Sequence, residues 1–374
     1  MHRLMSVVAI VGLAACGDDP LTNPPIDARL DDAIPAIDAV DAAGAPSWTW
    51  REVPTSRCGN GTPTGLGLNV LPGARSLVVL IEGGGACWNA LSCFGAPALG
   101  VSPLAANLRV TYDGTYFAST WQAAIESTGL TDRGAGGPFA DASFAAIPYC
   151  TGDLHAGDNR YVYDIDTQFV EHRGSVNIGA DLDVLRAQFP DVETVYVVGI
   201  SAGGYGAQLN FDRFVAAFPA AEVHLLADCA PMVQPLAIDP LQASYPVWKD
   251  RWQLRVVPGC PTCATDFEAL PDYLAARFPS SRQGLLVYDS DDVIAKFFGY
   301  RYVLGNDNVS FTAKINAFLP LHYTRANARW FRLAGMTHVM LSGYHTLAQP
   351  GGGLTLAEWV RRWAVGDAAW TSAP

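Results

Sequence analysis

A β-branched run, Thr194-Val195-Tyr196-Val197-Val198, leads into Gly199-Ile200-Ser201-Ala202-Gly203-Gly204, and a helical pattern follows. A strand, a Gly-x-Ser-x-Gly and a helix in that order make a nucleophile elbow, a strained turn that exposes the serine oxygen. The flanking residues must be small because neighbouring backbone comes very close. The serine then sits at a helix N-terminus, where the dipole favours developing negative charge. Ser201 is therefore the candidate nucleophile for attack on a carbonyl carbon. The plain alternative is a glycine-rich turn that binds nothing. A phosphate cradle fits less well, because no Gly-Lys-Ser/Thr follows.

Leu80-Ile81-Glu82-Gly83-Gly84-Gly85-Ala86-Cys87-Trp88 closes another strand-like run upstream of the serine. Three consecutive glycines let the chain fold with its N–H groups aimed at a substrate oxygen. With the N–H of Ala202, the Gly83, Gly84 and Gly85 amides are the candidate oxyanion hole. One such donor is worth about 3–4 kcal/mol of barrier. An ordinary tight turn is the alternative.

A serine nucleophile needs a base, and the base needs an orienting carboxylate. In this arrangement the order along the chain is serine, acid, histidine. Of the seven histidines, His2 falls in the leader, His155 and His172 precede Ser201, and His224 sits within a strand pattern. His322, His338 and His345 remain. His338 lies just past a strand-like run, in Gly335-Met336-Thr337-His338, and is the first candidate, with His345 in reserve. The acid should follow a strand between Ser201 and His338. Residues 284–288 run into Asp289-Ser290-Asp291-Asp292, and spacing does not choose among the three aspartates.

These motifs resemble the pectin acetylesterase family, which includes plant pectin acetylesterases and Notum-like carboxylesterases of animals. The resemblance rests on Glu82-Gly83-Gly84-Gly85 with Cys87, on Ile147-Pro148-Tyr149-Cys150-Thr151-Gly152-Asp153, on Gly199 to Gly206 with Asn210, and on the Asp291 and His338 turns. It implies hydrolysis of O-acyl esters, with neither metal nor organic cofactor, and a triad of Ser201, Asp291 and His338. The family pattern favours Asp291, which is followed by Asp292 and Val293. It also places residues 147–158 near the substrate, making Asp153, His155 and Asp158 candidate alcohol-side contacts. Trp88, Trp248 and Trp252 are candidates for stacking on sugar rings, with burial as the alternative. Many relatives carry an aromatic directly before the motif cysteine; Ala86 stands there instead and Trp88 follows, which leaves the acyl-pocket shape open.

The elements that must position these residues alternate strand and helix patterns, the signature of an α/β fold. Strands are expected at residues 77–81, 145–148, 194–199, 224–227, 284–288 and 329–333. Helices are expected at 177–188, 203–217, 266–277 and 355–364, from apolar residues at mixed three and four spacing. The expected architecture is α/β-hydrolase-like, a mostly parallel sheet with helices on both faces, in one domain over residues 47–374.

Residues 1–16 read as a lipoprotein signal: Arg3, a short apolar run, then Leu13-Ala14-Ala15-Cys16. Cys16 is the expected lipidation site, and the lipid the only expected membrane attachment. Residues 17–46, with seven Asp against one Arg and repeated Asp-Ala, read as a disordered tether. The chain is then an exported protein anchored at a bacterial cell envelope, and a monomer is expected. A net charge of −12 argues against nucleic-acid binding. Export permits disulfides among the seven remaining cysteines, and their odd number leaves at least one thiol free. Cys87 with Cys93, and Cys260 with Cys263, are close enough for local bridges. Redox or zinc chemistry at Cys260-Pro261-Thr262-Cys263 is the weaker alternative, since no second such motif or nearby histidine accompanies it. Two rival functions stand beside the esterase: a deacylase of lipids or acylated peptides, and a catalytically dead scaffold that binds glycan.

Overall fold

The computed structural model describes residues 46–134, 137–163, 168–236, 244–300 and 309–374. The leader, Cys16 and residues 17–45 of the tether lie outside them. Among the described residues, no helix is long and apolar enough to cross a membrane.

Among the described residues ten strands form: β1 (Trp48–Arg57), β2 (Pro63–Asn69), β3 (Ser76–Ile81), β4 (Ala142–Ile147), β5 (Asn159–Val162), β6 (Phe169–His172), β7 (Thr194–Ile200), β8 (Glu222–Asp228), β9 (Gln283–Tyr288) and β10 (Ala328–Leu333). Eight of them make one sheet in the order β1-β2-β4-β3-β7-β8-β9-β10, and β5 pairs with β6 apart from it. The pairs from β4 through β10 are parallel, while β1–β2 and β2–β4 are antiparallel. All six expected strands are present. β1 and β2 were not expected: β1 mixes charged and apolar residues with a proline, and Pro63-Thr64-Gly65-Leu66-Gly67 reads as a turn.

The parallel strands are buried on both faces, which is why they read as unbroken apolar runs. Val78, Leu80, Val198, Leu226, Leu286 and Phe331 share one core with Trp359 and Trp363 of the helix Leu356–Val365. The alternate positions Leu77, Val79, Val197, Leu225, Leu285 and Val287 are equally buried and so face the opposite way. The expected helix 203–217 is two helices, Ala202–Leu209 and Phe211–Ala217. It breaks at Asn210, whose side-chain amide donates to the carbonyls of Gly206 and His155 and ties the helix to another loop.

Register decides where the chemistry sits. Ile81 pairs with Gly199, Ile200 with Asp228, and Tyr288 with Leu333. The C-terminal ends of β3, β7, β8, β9 and β10 thus share one edge of the sheet, the edge where open α/β sheets hold their ligands.

Disulfides join Cys58 to Cys150, Cys87 to Cys93 and Cys260 to Cys263. Among the described residues Cys229 is the free thiol, and it is buried. The bridge at Cys260–Cys263 removes the zinc alternative there. Three disulfides belong to a chain that matures in an oxidising, extracytoplasmic compartment.

Candidate active site

Ser201 directly follows β7 with φ +55° and ψ −121°, in a region L-residues rarely occupy. Its amide donates to the carbonyl of Asp228 on β8 at 2.8 Å. The small residues around it are a steric demand. A Cβ on Gly199 would lie 2.1 Å from the carbonyl oxygen of Gly203, and one on Gly203 would lie 2.0 Å from that of Ile81.

The loop after β10 reaches back to this elbow. Ser201 Oγ lies 2.8 Å from Nε2 of His338, and Nδ1 of His338 lies 2.7 Å from Oδ2 of Asp291. A carboxylate can only accept, so Nδ1 carries hydrogen and Nε2 faces the serine as acceptor. The same carboxylate caps the helix Asp292–Phe297: its Oδ1 accepts from the amides of Val293 and Ile294 at 2.9 and 3.0 Å. The neighbouring acids have other partners. Asp289 accepts from Ser290 Oγ and the Gly335 amide, and Asp292 pairs with Lys296. His345 is exposed beside Gly129, and His322 is held by Asp272 and Glu268.

The Gly83-Gly84-Gly85 turn lies directly against the elbow. A Cβ on Gly83 would come within 2.9 Å of Ser201 Cβ and 3.3 Å of the Ala202 nitrogen. Gly85 has φ +78°, and a Cβ there would meet the Leu104 carbonyl oxygen at 1.9 Å. Among the described residues, the amides of Gly83, Gly84, Gly85 and Ala202 donate to no protein acceptor. Two residues fix the turn from outside: the Ala106 amide donates to the Gly84 carbonyl, and the Cys87 amide to that of Gly152.

Asp153 and His155, expected as alcohol-side contacts, are instead buried beneath this turn. His155 Nε2 lies 2.9 Å from the Glu82 carbonyl and must donate to it. Burial lowers the imidazole pKa to about 4, so it is neutral at physiological pH. The Asp153 carboxylate accepts from Thr151 Oγ1 and from the amides of Gly157 and Gly174, which leaves it no path to a substrate. The tryptophans are likewise enclosed. Trp88 packs against Trp248 and Phe297, while Trp248 stacks on Trp252, so none offers a free face to a sugar. Asp158 is exposed and pairs with Arg173.

Two acids to which the sequence assigned no role hold the site together. Asp228, fully buried at the end of β8, accepts from the amides of Met340 and Leu341 at 3.0 and 2.8 Å. It therefore clamps the loop that carries His338, in which Val339 is forced to φ +68°. Burial raises its pKa to about 6. Glu82 directly precedes the glycine turn. Its carboxyl accepts from the Tyr112 hydroxyl at 3.0 Å and the Tyr149 amide at 2.8 Å, and burial raises its pKa to about 8. Each is an acidic residue closing an apolar strand, the same signal that pointed to Asp289-Ser290-Asp291-Asp292.

A small apolar cavity of about 20 Å³ opens beside Ser201. Ala86, Tyr205, Trp248, Val293, Ile294 and Phe297 are among its walls. A larger depression, about 660 Å³, lies elsewhere, between Trp48, Arg133 and His345, and includes none of Ser201, His338, Asp291 and the glycine turn.

A mostly parallel sheet with a serine at its elbow, a histidine after its last strand and an acid between them defines the α/β-hydrolase class. Residues 51–239 match the family model described as "Pectinacetylesterase", and the chain belongs to that family of carboxylic ester hydrolases. A curated relative, palmitoleoyl-protein carboxylesterase notum2 of Xenopus laevis, is 26% identical over 165 residues. That match covers 42% of this chain and only 30% of the relative. A solved structure of the Wnt deacylase Notum from Drosophila aligns with TM-score 0.60 at 15% identity, over 88% of this chain and 95% of that one. At that identity the likeness shows the fold.

Two outcomes follow from the acids. Asp228→Asn, which can offer only one acceptor oxygen to the two amides, should lower kcat on p-nitrophenyl acetate by about ten- to a hundredfold with KM little changed, since small misplacements of a reacting group cost that much. A parallel rise in KM, or no change in kcat, would speak against the clamp. Glu82 binds its proton more tightly in the folded state than in the unfolded chain, where the pKa is near 4.5. Its stabilisation is full below that value and is lost as pH rises to about 8. Thermal melts of Glu82→Gln against the parent should therefore shift in the variant's favour between pH 5 and 8 and level off above.

Proposed function

We propose that the chain is a serine esterase that hydrolyses short O-acyl esters, acetyl esters foremost, with Ser201, His338 and Asp291 as its catalytic residues. The observation that carries the proposal is the unbroken pair of hydrogen bonds from Ser201 Oγ through the His338 imidazole to Asp291.

Ser201 Oγ attacks the ester carbonyl carbon while its proton passes to Nε2 of His338. Asp291 holds the tautomer that makes this transfer feasible and steadies the imidazolium. The carbonyl oxygen becomes an oxyanion and takes hydrogen bonds from Ala202 and the glycine turn, whose amides stand free. Collapse expels the alcohol, which leaves with the proton from Nε2, and Ser201 keeps the acyl group. Water then gives its proton to Nε2, attacks the acyl-enzyme and releases the acid, returning the proton to Ser201.

Acyl length follows from the cavity beside the nucleophile. The cavity is narrow: the centre of a water-sized sphere can move through only about 20 Å³ of it, which suits a short acyl group. An acetyl methyl fits there; a long acyl chain meets Phe297 and its neighbours. This favours short acyl groups over the deacylase alternative. A polysaccharide is the expected alcohol, given an exported chain of this family, with Cys16 proposed as its lipid attachment.

Ser201→Ala should abolish p-nitrophenyl acetate hydrolysis and labelling by a fluorophosphonate probe; labelling that persists would move the nucleophile elsewhere, and a parent chain that never labels would favour the dead-scaffold alternative. Across an ester series from acetyl to octanoyl, kcat/KM should fall by at least about tenfold beyond butyryl. Phe297→Ala should extend the accepted length, read as a changed ratio between hexanoyl and acetyl esters.

A further inference from the structure

We propose that Cys229, Asp291 and His338 form an inhibitory site for a thiophilic divalent cation of the zinc and cadmium type. The inhibition rests on the function proposed above; the binding does not. A donor atom from each of these residues lies within 4.8 Å of the other two. They come from three separate segments: the residue after β8, the turn after β9 and the loop after β10.

The chemistry of the set is selective. A thiol, an imidazole and a carboxylate match Zn²⁺ or Cd²⁺; Ca²⁺ and Mg²⁺ ask for oxygens alone. The thiol is in no disulfide, whereas the other six described cysteines are paired, and its Sγ accepts from the Val339 amide at 3.2 Å. Tetrahedral zinc ligands stand about 2.0–2.3 Å from the metal and so about 3.3–3.7 Å from one another. Seating a cation therefore parts Nδ1 and Oδ2, now 2.7 Å apart, by roughly 0.6 Å and draws in the Sγ, which stands no more than 4.8 Å from either, shifts that the turn and the loop would supply. Entry is past His338, whose side chain is 17% exposed, while Asp291 and Cys229 are buried behind it.

Occupancy would disable the nucleophile. The cation takes Nδ1 of His338, whose hydrogen shifts to Nε2 by exchange with solvent, and it displaces the thiol proton of Cys229, which leaves to solvent. An imidazole bound through Nδ1 keeps its one hydrogen on Nε2. It then donates toward Ser201 Oγ and cannot accept the serine proton.

The test uses the full chain with CdCl2 as probe and two independent readouts. In Ser201→Ala protein, which cannot turn over, one equivalent of Cd²⁺ should produce cadmium–thiolate absorption in the ultraviolet. Ser201→Ala/Cys229→Ser should lack it, and Ser201→Ala/Cys16→Ser should retain it. In the parent, saturating Cd²⁺ should slow acetyl ester hydrolysis with gradual onset, reversed by EDTA. Cys229→Ser should keep basal turnover and bind the cation at least about tenfold more weakly. Equal inhibition of parent and Cys229→Ser, or absorption that survives loss of Cys229, overturns the proposal. If no ester is hydrolysed but the absorption tracks Cys229, the cation site stands and the esterase assignment fails.

Discussion

Parallel pairing from β4 to β10 is the constraint on which the site depends. It puts the last residues of β3, β7, β8, β9 and β10 in one register, so the segments that follow must meet. The glycine turn, the elbow, the acid turn and the histidine loop are far apart in the chain and adjacent here for that reason alone. Further bonds between the last two lock the alignment: the amides of Ser290 and Asp292 donate to the carbonyls of Gly335 and Met336. The acid and the histidine thus ride on one backbone unit rather than on two independent loops.

How legible this was in the sequence depended on whether the signal was local. Ser201 and the glycine turn were readable because steric demand writes itself into neighbouring residues: Gly199, Gly203 and Gly83 are there because backbone or side chains fill the space a Cβ would take. The six buried parallel strands were readable because burial on both faces removes polar residues. Spacing left three aspartates open; the family pattern favoured Asp291, and it is Asp291 that Nδ1 of His338 approaches. Asp153 and His155 misled because polarity in a loop reads as exposure. Their partners, the Gly174 amide and the Glu82 carbonyl, are backbone groups that composition does not reveal. β1 and β2 were missed since an antiparallel edge pair with turn-like residues carries no alternating pattern, and the Cys58–Cys150 link joins segments 92 residues apart.

The underside of the glycine turn is built to stay uncharged. His155 is held neutral by burial, and Glu82 keeps its proton up to about pH 8. An ionised Glu82 would place a negative charge one residue from the amides proposed to receive an oxyanion. At a separation of several ångströms in a partly buried setting, that repulsion is worth kilocalories, enough to offset much of what a hydrogen-bond donor contributes. Packing Tyr112, Tyr149 and Trp121 around the carboxyl therefore does electrostatic service for the turn as well as filling space.

Selectivity and reactivity share one element in the same way. Asp291 uses Oδ2 to hold His338 and Oδ1 to cap the helix Asp292–Phe297. Val293, Ile294 and Phe297 of that helix wall the cavity beside Ser201. An acyl group too large for the cavity pushes on a helix whose first turn is bonded to the proposed catalytic acid. Its strain is then felt at the Asp291–His338 bond as well as in binding. Discrimination against long chains should accordingly appear in the chemical step, because a displaced helix costs the imidazole its orientation before the serine can react.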